Sequence, residues 1–444
     1  MRTPMMGPVR ESGASLSHIE PDTSLPEDTQ LYSERSKGEA GRTGIQEAIE
    51  TFRLPFYGRL WSSNLIQFIC FHVLFLAMQW LVTSLTDLRM AVGFIAFVQG
   101  GTIALLSPMA GVVVDRQPKR NLIVFGRLGL ALVAMTIGLL VWADVIAYWQ
   151  LLLMSVVGGL LASVLSPATQ TFVVDVVGRN RTEHAISLNA IGSSFGTIGG
   201  AALAGVLVGA VGLVSTFLSA ALGVVIAALI VVTIPIEGRA KRSEATSPLR
   251  DFKDGFAYVR ARPPLLLALL CCAMALFNGA ISPMRVVFAR HVLEVGAEAF
   301  GMMSGAHGIG TMVAALAVTL RPPSRNFGPL IAGTMFLYAV GLLLYSFAFS
   351  FEWILAVEGL MGFAGQLWHI CALIGFQLAV PAEMRGRVLA MVFTLAQLGF
   401  VGGLVVSALA DLAGDQLALA IFGAIPTFLL GGILVFGWKT LKQM

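Results

Sequence analysis

A carboxylate lies deep inside a long apolar segment of this 444-residue chain. Glu358 follows Trp353 by five residues, and Gln366 and His369 fall near the same face of a helix drawn through the segment. An ionised carboxylate in an apolar environment is costly, so we expect Glu358 to be protonated, paired or in contact with water. A group balanced between those states is suited to proton coupling, and we predict that role for Glu358 and His369. The alternative is that the Glu358 side chain extends to the membrane surface.

A second polar stripe runs through the first apolar segment, residues 60–85. At 3.6 residues per turn, its members fall within about 140° of one another on a helical wheel. They are Asn64, Gln67, Phe71, His72, Phe75, Met78 and Gln79. The stripe predicts one wall of a substrate cavity, and His72 is a further proton-coupling candidate because imidazole titrates near neutral pH. Alternatively, these polar side chains bind a neighbouring helix.

Other polar side chains within apolar segments are further candidates. Gln366 and Asn278 are predicted to line the cavity. Arg285 is predicted to line its outer part, and is equally compatible with a side chain that extends outward to the interface. His307, in the string GAHGIG, is interpreted as one polar group within close glycine packing, because no strand precedes it as a phosphate-binding loop would require.

The elements that must position these residues are membrane helices. With 57% hydrophobic and only 12% charged residues, the chain has too little polar surface for a soluble globule. Its apolar segments are long enough to cross a hydrocarbon core of about 30 Å at about 1.5 Å per residue. We predict twelve of them, at residues 60–85, 91–114, 121–142, 147–173, 186–210, 213–235, 264–288, 299–320, 327–349, 353–380, 387–410 and 416–438.

The longest polar break divides the apolar segments into two sets of six. It predicts an all-α polytopic membrane protein of two six-helix pseudo-symmetric bundles, because near-equal halves indicate duplication. The expected parts are a disordered cytoplasmic tail (1–52), an N-terminal bundle (53–236), a linker (237–263), a C-terminal bundle (264–438) and a short cytoplasmic end (439–444). Residues 248–262 within the linker predict an amphipathic helix on the membrane surface.

The distribution of positive charge predicts the orientation. All of the 29 Lys and Arg except Arg89, Arg285 and Arg290 fall on one side, if Arg127 is counted with the loop between the second and third segments. Positive residues in short loops stay cytoplasmic, so we expect an inner-membrane protein with both termini in the cytoplasm. The net charge of +4 is explained by this topology, and it gives no reason to expect nucleic acid as a partner.

A charged cluster lies in the short link between the second and third apolar segments. Its members are Gly111, Asp115, Arg116, Lys119 and Arg120. With twelve segments in two halves, this spacing resembles the signature loop of the major facilitator superfamily, and the resemblance covers residues 52–438. It implies that Asp115, Arg116 and Arg120 contact neighbouring helix ends and hold the outward-facing state until transport breaks those contacts. We call the five residues of the cluster the predicted latch.

Further resemblances indicate the direction of transport. Gly196, Gly200 and Gly205 resemble the glycine-rich helix 5 motif of antiporters, although simple close packing of small residues explains them equally well. The residues 185–189 and 381–387 look like the branch that holds the enterobactin exporter and several drug exporters. That branch implies export. Many proton-driven exporters of the superfamily carry an acid in helix 1 and an arginine in helix 4, whereas the first predicted span of this chain has no acid and the fourth has no base.

These features predict a monomeric secondary transporter that works by alternating access. It is expected to export a small, partly apolar molecule, such as a drug or a siderophore, in exchange for protons, with the lipid bilayer as its surroundings and no cofactor or metal. The alternatives are import or lipid movement on the same fold, or a non-transporting receptor or scaffold. An enzyme is not expected, because the sequence shows no nucleophile–base pair, metal cluster or nucleotide loop.

Overall fold

The computed structural model of the chain describes residues 50–178, 181–238, 248–320 and 326–444. The predicted disordered tail lies outside this part up to residue 49. The described residues form helices and no strand, and eleven of the helices are long and apolar enough to cross a membrane. One of those eleven contains two spans, so the chain crosses twelve times. The predicted fold class of twelve membrane helices in two six-helix halves is confirmed.

The first half contains helices α1 to α6. Their bounds are α1 Tyr57–Leu85, α2 Arg89–Arg116, α3 Lys119–Trp142, α4 Tyr148–Val177, α5 residues 182–211 and α6 residues 213–232. The last two form one continuous stretch that is interrupted only at Gly212, where φ is 80° and ψ is 172°. Glycine adopts this left-handed backbone without steric cost, so the chain reverses direction there without a loop.

The second half contains helices α7 to α12. Their bounds are α7 Pro263–Val292, α8 Ala297–Leu320, α9 Phe327–Phe347, α10 Phe351–Ala379, α11 Ala382–Ala396 continued by Leu398–Ala413, and α12 Asp415–Phe436. Two of these helices are irregular. Helix α7 is divided into short segments and ends in a π-helical turn, and α11 is interrupted at Gln397.

A short helix, Pro248–Arg260, lies in the link between the halves, and residues 239–247 of that link lie outside the described part. Val259 of this linker helix is fully buried in a hydrophobic cluster of the second half, whereas Phe256 is exposed. The linker helix therefore packs one apolar face against the second half, close to the start of α11.

The two ends of the helical bundle differ in how the halves meet. Successive helices alternate in direction, so one end carries Lys119 and the other carries Arg89. At the Arg89 end, a single hydrophobic cluster contains buried residues of α1, α2 and α5 together with residues of α7, α8 and α11. At the Lys119 end, the halves have separate clusters. The halves are therefore joined at the Arg89 end and have no common core at the Lys119 end.

Candidate functional site

Glu358 is the centre of a buried polar cluster within the second half. Its side chain is fully buried in α10 and accepts hydrogen bonds from two other helices. Arg285 of α7 donates from Nε to Oε1 at 2.6 Å and from Nη2 to Oε2 at 2.9 Å. His307 of α8 lies with Nδ1 at 3.0 Å from Oε2. We call these three residues the Glu358 cluster.

Glycines let α8 and α10 approach closely enough to form this cluster. A Cβ atom added to Gly362 would lie 2.9 Å from the backbone carbonyl carbon of His307. A Cβ atom added to Gly310 would lie 2.8 Å from the backbone nitrogen of Phe363. Because both obstacles are backbone atoms, larger side chains at these two glycines would push the helices apart. Within the GAHGIG string, Gly310 thus provides the close packing against α10, and the string also places the His307 imidazole against Glu358.

The geometry of the Glu358 cluster is that of an ionised carboxylate. Two parallel N–H···O bonds from one guanidinium form the strong bidentate pair that arginine makes with carboxylates. The ring of His307 adds a third bond, which requires its proton to be on Nδ1 if Glu358 is ionised. Protonation of Glu358 would leave the buried charge of Arg285 without its counter-ion, which costs several kcal/mol. The contacts that Glu358 makes with α7 and α8 therefore depend on whether Glu358 carries a proton.

The other predicted members of the α10 face do not contact Glu358. Gln366 is half-buried, and the His369 side chain is exposed with its ring 5.9 Å from that of Trp368. Glu358 instead pairs with residues 73 and 51 positions earlier in the chain. Of the three states expected for this carboxylate, the structure has the paired one.

A cavity of about 830 Å³ lies in the first half. All seven residues of the predicted α1 stripe line it, and each of its described lining residues belongs to α1 to α6. Asn278, Arg285 and Gln366, predicted as cavity residues from the second half, are not among the residues that line it. Asn278 instead donates from Nδ2 to Met335 Sδ at 3.3 Å. The wall is mostly apolar, and Phe71 and Phe75 stack on it with ring centroids 6.2 Å apart.

Two stripe residues show how the cavity is connected to its surroundings. His72 bonds through Nδ1 to the carbonyl of Phe68 at 2.9 Å, within its own helix. Gln79 crosses to the second half, where its Nε2 donates to Ser282 Oγ at 3.2 Å. Because Ser282 lies three residues before Arg285 on α7, this bond connects the cavity wall to the helix that carries the Glu358 cluster.

Arg127 lies inside the membrane region, and counting it as a loop residue was wrong. It lies on α3, eight residues and thus about 12 Å beyond Lys119, and its side chain is 1% exposed. Its Nη1 donates to Ser63 Oγ and, at 3.1 Å, to the carbonyl of Ala227. Its Nη2 donates to Asn64 Oδ1 at 2.7 Å. A single positive residue eight positions after a loop gave no sequence signal that it points inward.

At the Arg89 end, charged residues join the two halves. The Arg89 side chain pairs with Asp415 of α12, with Nε at 3.0 Å from Oδ1 and Nη2 at 3.3 Å from Oδ2. The carboxylate of Asp411 in α11 accepts from the backbone nitrogens of Arg89 and Met90, each at 2.8 Å. Asp411 thereby satisfies two free N–H groups at the start of α2. We call Arg89, Asp411 and Asp415 the Arg89 clasp.

At the Lys119 end, the described contacts of the predicted latch stay within the first half. Lys119 Nζ lies 2.7 Å from Oδ2 of Asp175 near the end of α4. Arg120 Nη1 donates to a backbone carbonyl just after α6 at 3.0 Å. Arg116 is exposed, and the side chain of Asp115 lies outside the described part. Lys119 and Arg120 therefore bind α3 to the ends of α4 and α6.

The predicted α5 glycines pack against two different partners. Gly196 and Gly200 face α1, where a Cβ atom added to Gly200 would lie 2.7 Å from the carbonyl oxygen of Ile69. Gly205 faces the other half, where its added Cβ atom would lie 3.0 Å from the Cα atom of Gly301 in α8. An added Cβ atom on Gly111, in the predicted latch, would meet nothing within 4 Å. The α5 glycines thus form a close contact inside the first half and another between the halves.

Comparison with known proteins identifies the family. A family model described as a transmembrane secretion effector of the major facilitator type matches residues 47–443. The chain belongs to this family. The predicted membership of the major facilitator superfamily is thereby confirmed, and the protein is a membrane transporter whose family implies a small-molecule substrate and a lipid bilayer around it. The enterobactin-exporter branch stays a prediction.

Individual relatives agree with this placement. An uncharacterized MFS-type transporter of Bacillus subtilis, YfiS, is 26% identical over 360 residues, which are 76% of this chain and 82% of YfiS. Among solved structures, a mutant of the nucleoside transporter NupG superposes with a TM-score of 0.71 at 13% identity, covering 86% of this chain and 99% of NupG. A POT family transporter in complex with a thioalcohol-conjugated peptide gives 0.66 at 11% identity, covering 86% and 96%. At such identities the structures share the fold alone.

Proposed function

We propose that this transporter exports a small, partly apolar molecule in exchange for protons, by alternating access of its two halves. The observation that carries the proposal is the Glu358 cluster, a buried carboxylate held by Arg285 and His307 on three helices of one half. It lies in the half opposite the cavity. A proton site and a substrate cavity on different halves suit a cycle in which each ligand changes how the halves pack.

In the proposed cycle, a proton binds a carboxylate oxygen of Glu358 and displaces an N–H bond of Arg285. The freed guanidinium then needs another acceptor or water, because a buried unpaired charge is strongly unfavourable. That change alters the packing of α7 against α10, and it reaches the cavity through the bond between Ser282 and Gln79. Release of the proton on the other side of the membrane restores the bidentate pair.

The distribution of positive charge orients the proposed cycle in the membrane. With Arg127 and Arg285 inside the helices, the remaining Lys and Arg are still concentrated at the Lys119 end, which the positive-inside rule assigns to the cytoplasm of the inner membrane together with both termini. The halves have separate cores at that end. The proposed loading state for export is therefore open to the cytoplasm.

The test is the pH change that a substrate causes in energised inside-out vesicles. Lipophilic cations, lipophilic anions and siderophores are added to vesicles that hold the wild type or the Glu358→Gln variant. We expect a proton signal from the wild type that Glu358→Gln loses. Glu352→Gln is the matched control, because Glu352 lies on the same helix and is exposed, and it should keep the signal.

Because Glu358→Gln leaves Arg285 unpaired, the variant Arg285→Gln/Glu358→Gln removes both charges and separates folding from coupling. A folded double variant without a proton signal supports the proposal. A proton signal that survives in the double variant overturns the coupling role of the Glu358 cluster. Uptake of a labelled substrate driven by an inward proton gradient would favour import on the same fold.

The predicted latch stays a proposal that needs its own test. Lys119 and Arg120 hold α3 to helix ends of the same half, so the latch would act by keeping that end of the half rigid. We expect Asp115→Asn to reduce transport while the protein still inserts in the membrane. Asp144→Asn, at the opposite end of the first half, is the control. Normal flux in Asp115→Asn would remove Asp115 from the latch.

A further inference from the structure

The cavity contains a positive charge that the proposed proton site does not use. Arg127 lines the cavity, and among the described residues that line it, Arg127 alone carries a permanent charge and none is an acid. The described part of the chain gives Arg127 no ion pair, and its Nε has no hydrogen-bond partner. Its three hydrogen bonds go to two uncharged side chains and one carbonyl.

This is an unusual way to bury an arginine. Uncharged acceptors compensate only part of the cost of removing a guanidinium from water, and buried arginines are normally paired with carboxylates. Arg285 in the other half shows the usual solution, since Glu358 binds it through two bonds. Arg127 therefore lacks the anion that its environment requires.

The surroundings of Arg127 are suited to supply that anion from a ligand. The guanidinium is held by acceptors on α1 and, through the carbonyl of Ala227, on α6. Asn64, which accepts from Arg127, also donates from Nδ2 to Asn189 Oδ1 of α5 at 3.2 Å. Gln67, one turn further along α1, also lines the cavity, and its Oε1 has no partner. A fixed arginine side chain that retains a free N–H group can donate it to an oxyanion.

We propose that the cavity binds an amphipathic organic anion. Its carboxylate, sulfonate or phosphate group would lie at Arg127, with an uncharged hydrogen-bond donor of the ligand at Gln67. Its apolar body would pack on the stacked rings of Phe71 and Phe75 and on the apolar wall. A volume of about 830 Å³ has room for a body of several fused or linked rings. This inference rests on the proposed function in taking the cavity as the substrate site.

The test compares three ligands of one shape and different charge. They are 4-(1-pyrenyl)butyrate, 4-(1-pyrenyl)butanol and 4-(1-pyrenyl)butyltrimethylammonium. Binding to the full chain in lipid nanodiscs is followed by energy transfer from tryptophan to pyrene, with empty nanodiscs as the background. Trp61 of α1 can serve as the donor, since its Nε1 donates at 2.8 Å to the carbonyl oxygen of Leu188, the residue before the cavity-lining Asn189. No proton gradient is present, so the assay does not depend on transport.

We expect the wild type to bind the butyrate about 10- to 100-fold more tightly than the alcohol, as a charge-assisted hydrogen bond would give. Arg127→Gln should lose that preference, and Arg127→Lys should keep part of it. Arg262→Gln is the matched control for the lost charge, because Arg262 is exposed just before α7 and stacks on Tyr258, away from the cavity-lining residues, and it should keep the preference.

Each outcome decides the matter. If the wild type binds the cation or the alcohol as tightly as the butyrate, the inference is overturned, whether or not Arg127→Gln folds. Equal anion binding in the wild type and Arg127→Gln, with a lower thermal midpoint for Arg127→Gln, reduces Arg127 to a helix-packing residue and overturns it too. Anion binding without a proton signal in vesicles would leave this inference standing and remove proton-coupled export. A proton signal that only cations cause would overturn this inference and leave proton-coupled export standing.

Discussion

At the scale of single residues, the Glu358 cluster makes a prediction about stability. Removing one partner of a buried ion pair leaves the other charge uncompensated, so Glu358→Leu should destabilise the protein by about 3 to 5 kcal/mol. Arg285→Met/Glu358→Leu removes both charges and should be close to the wild type. The measurement is the thermal unfolding midpoint of the purified protein in detergent, with Glu352→Leu as the exposed control on the same helix. A double variant less stable than Glu358→Leu would show that the pair is not the source of the loss.

The same residues show what the sequence reveals at this scale. Glu358 stands out because a carboxylate inside an apolar run needs a reason, and its burial was therefore predictable. Its partners were not, because Arg285 and His307 lie 73 and 51 residues away and meet it only when three helices pack. Arg127 was missed for a related reason. Hydropathy places a charge along a helix, and it does not say which way the side chain points.

At the scale of the helices, glycines set the distance between the two halves. A side chain at Gly205 would press on the Gly301 backbone and on the carbonyl oxygen of Ala297, each 3.0 Å from an added Cβ atom. We expect Gly205→Leu to separate α5 from α8 and to favour a state opened at the Arg89 end by about 1 to 3 kcal/mol, the usual cost of overpacking. Gly199→Leu on the same helix is the control, because nothing lies within 4 Å of its added Cβ atom.

The measurement is the distance between spin labels on cysteines introduced at two exposed loop positions of the Arg89 end, Asp87 in the first half and Glu294 in the second. The four native cysteines are replaced by alanine beforehand; all four are buried. Gly205→Leu should increase the population at longer distances, and Gly199→Leu should not. An unchanged distribution in Gly205→Leu would mean that α5 and α8 can absorb the side chain without moving the halves.

The helices themselves were largely predictable, because length and hydropathy alone fix where a chain can cross a membrane. The predicted spans 186–210 and 213–235 lie on either side of Gly212, where the structure has its kink. The apolar run His184–Val232 has 49 residues, which is too long for a single crossing. The irregular course of α7 was not predicted, although the sequence marks part of it. Asn278 and Gly279 lie where two of its short segments meet, and Pro283 lies in the first turn of the next segment.

At the scale of the whole molecule, the joined Arg89 end and the separate cores of the Lys119 end describe one of the two states that alternating access requires. The balance between the states depends on the contacts that exist in only one of them. The Arg89 clasp is such a contact, because Arg89 belongs to the first half and Asp411 and Asp415 belong to the second. The clasp was not predictable from the sequence, since acids and bases are common at the ends of membrane helices.

Loss of the Arg89 clasp should therefore shift the whole molecule toward the state that is open at the Arg89 end. Asp411→Ala removes two hydrogen bonds to the start of α2, and Asp415→Ala removes a partly buried ion pair. The two losses together should cost about 1 to 3 kcal/mol. That free energy changes the ratio of the two states by about 5- to 150-fold. The same pair of spin labels should report longer distances in Asp411→Ala/Asp415→Ala, whereas the control Asp144→Asn should match the wild type. If the double variant keeps the wild-type distances, the apolar cluster that the halves share at this end is sufficient to hold them together without the charges.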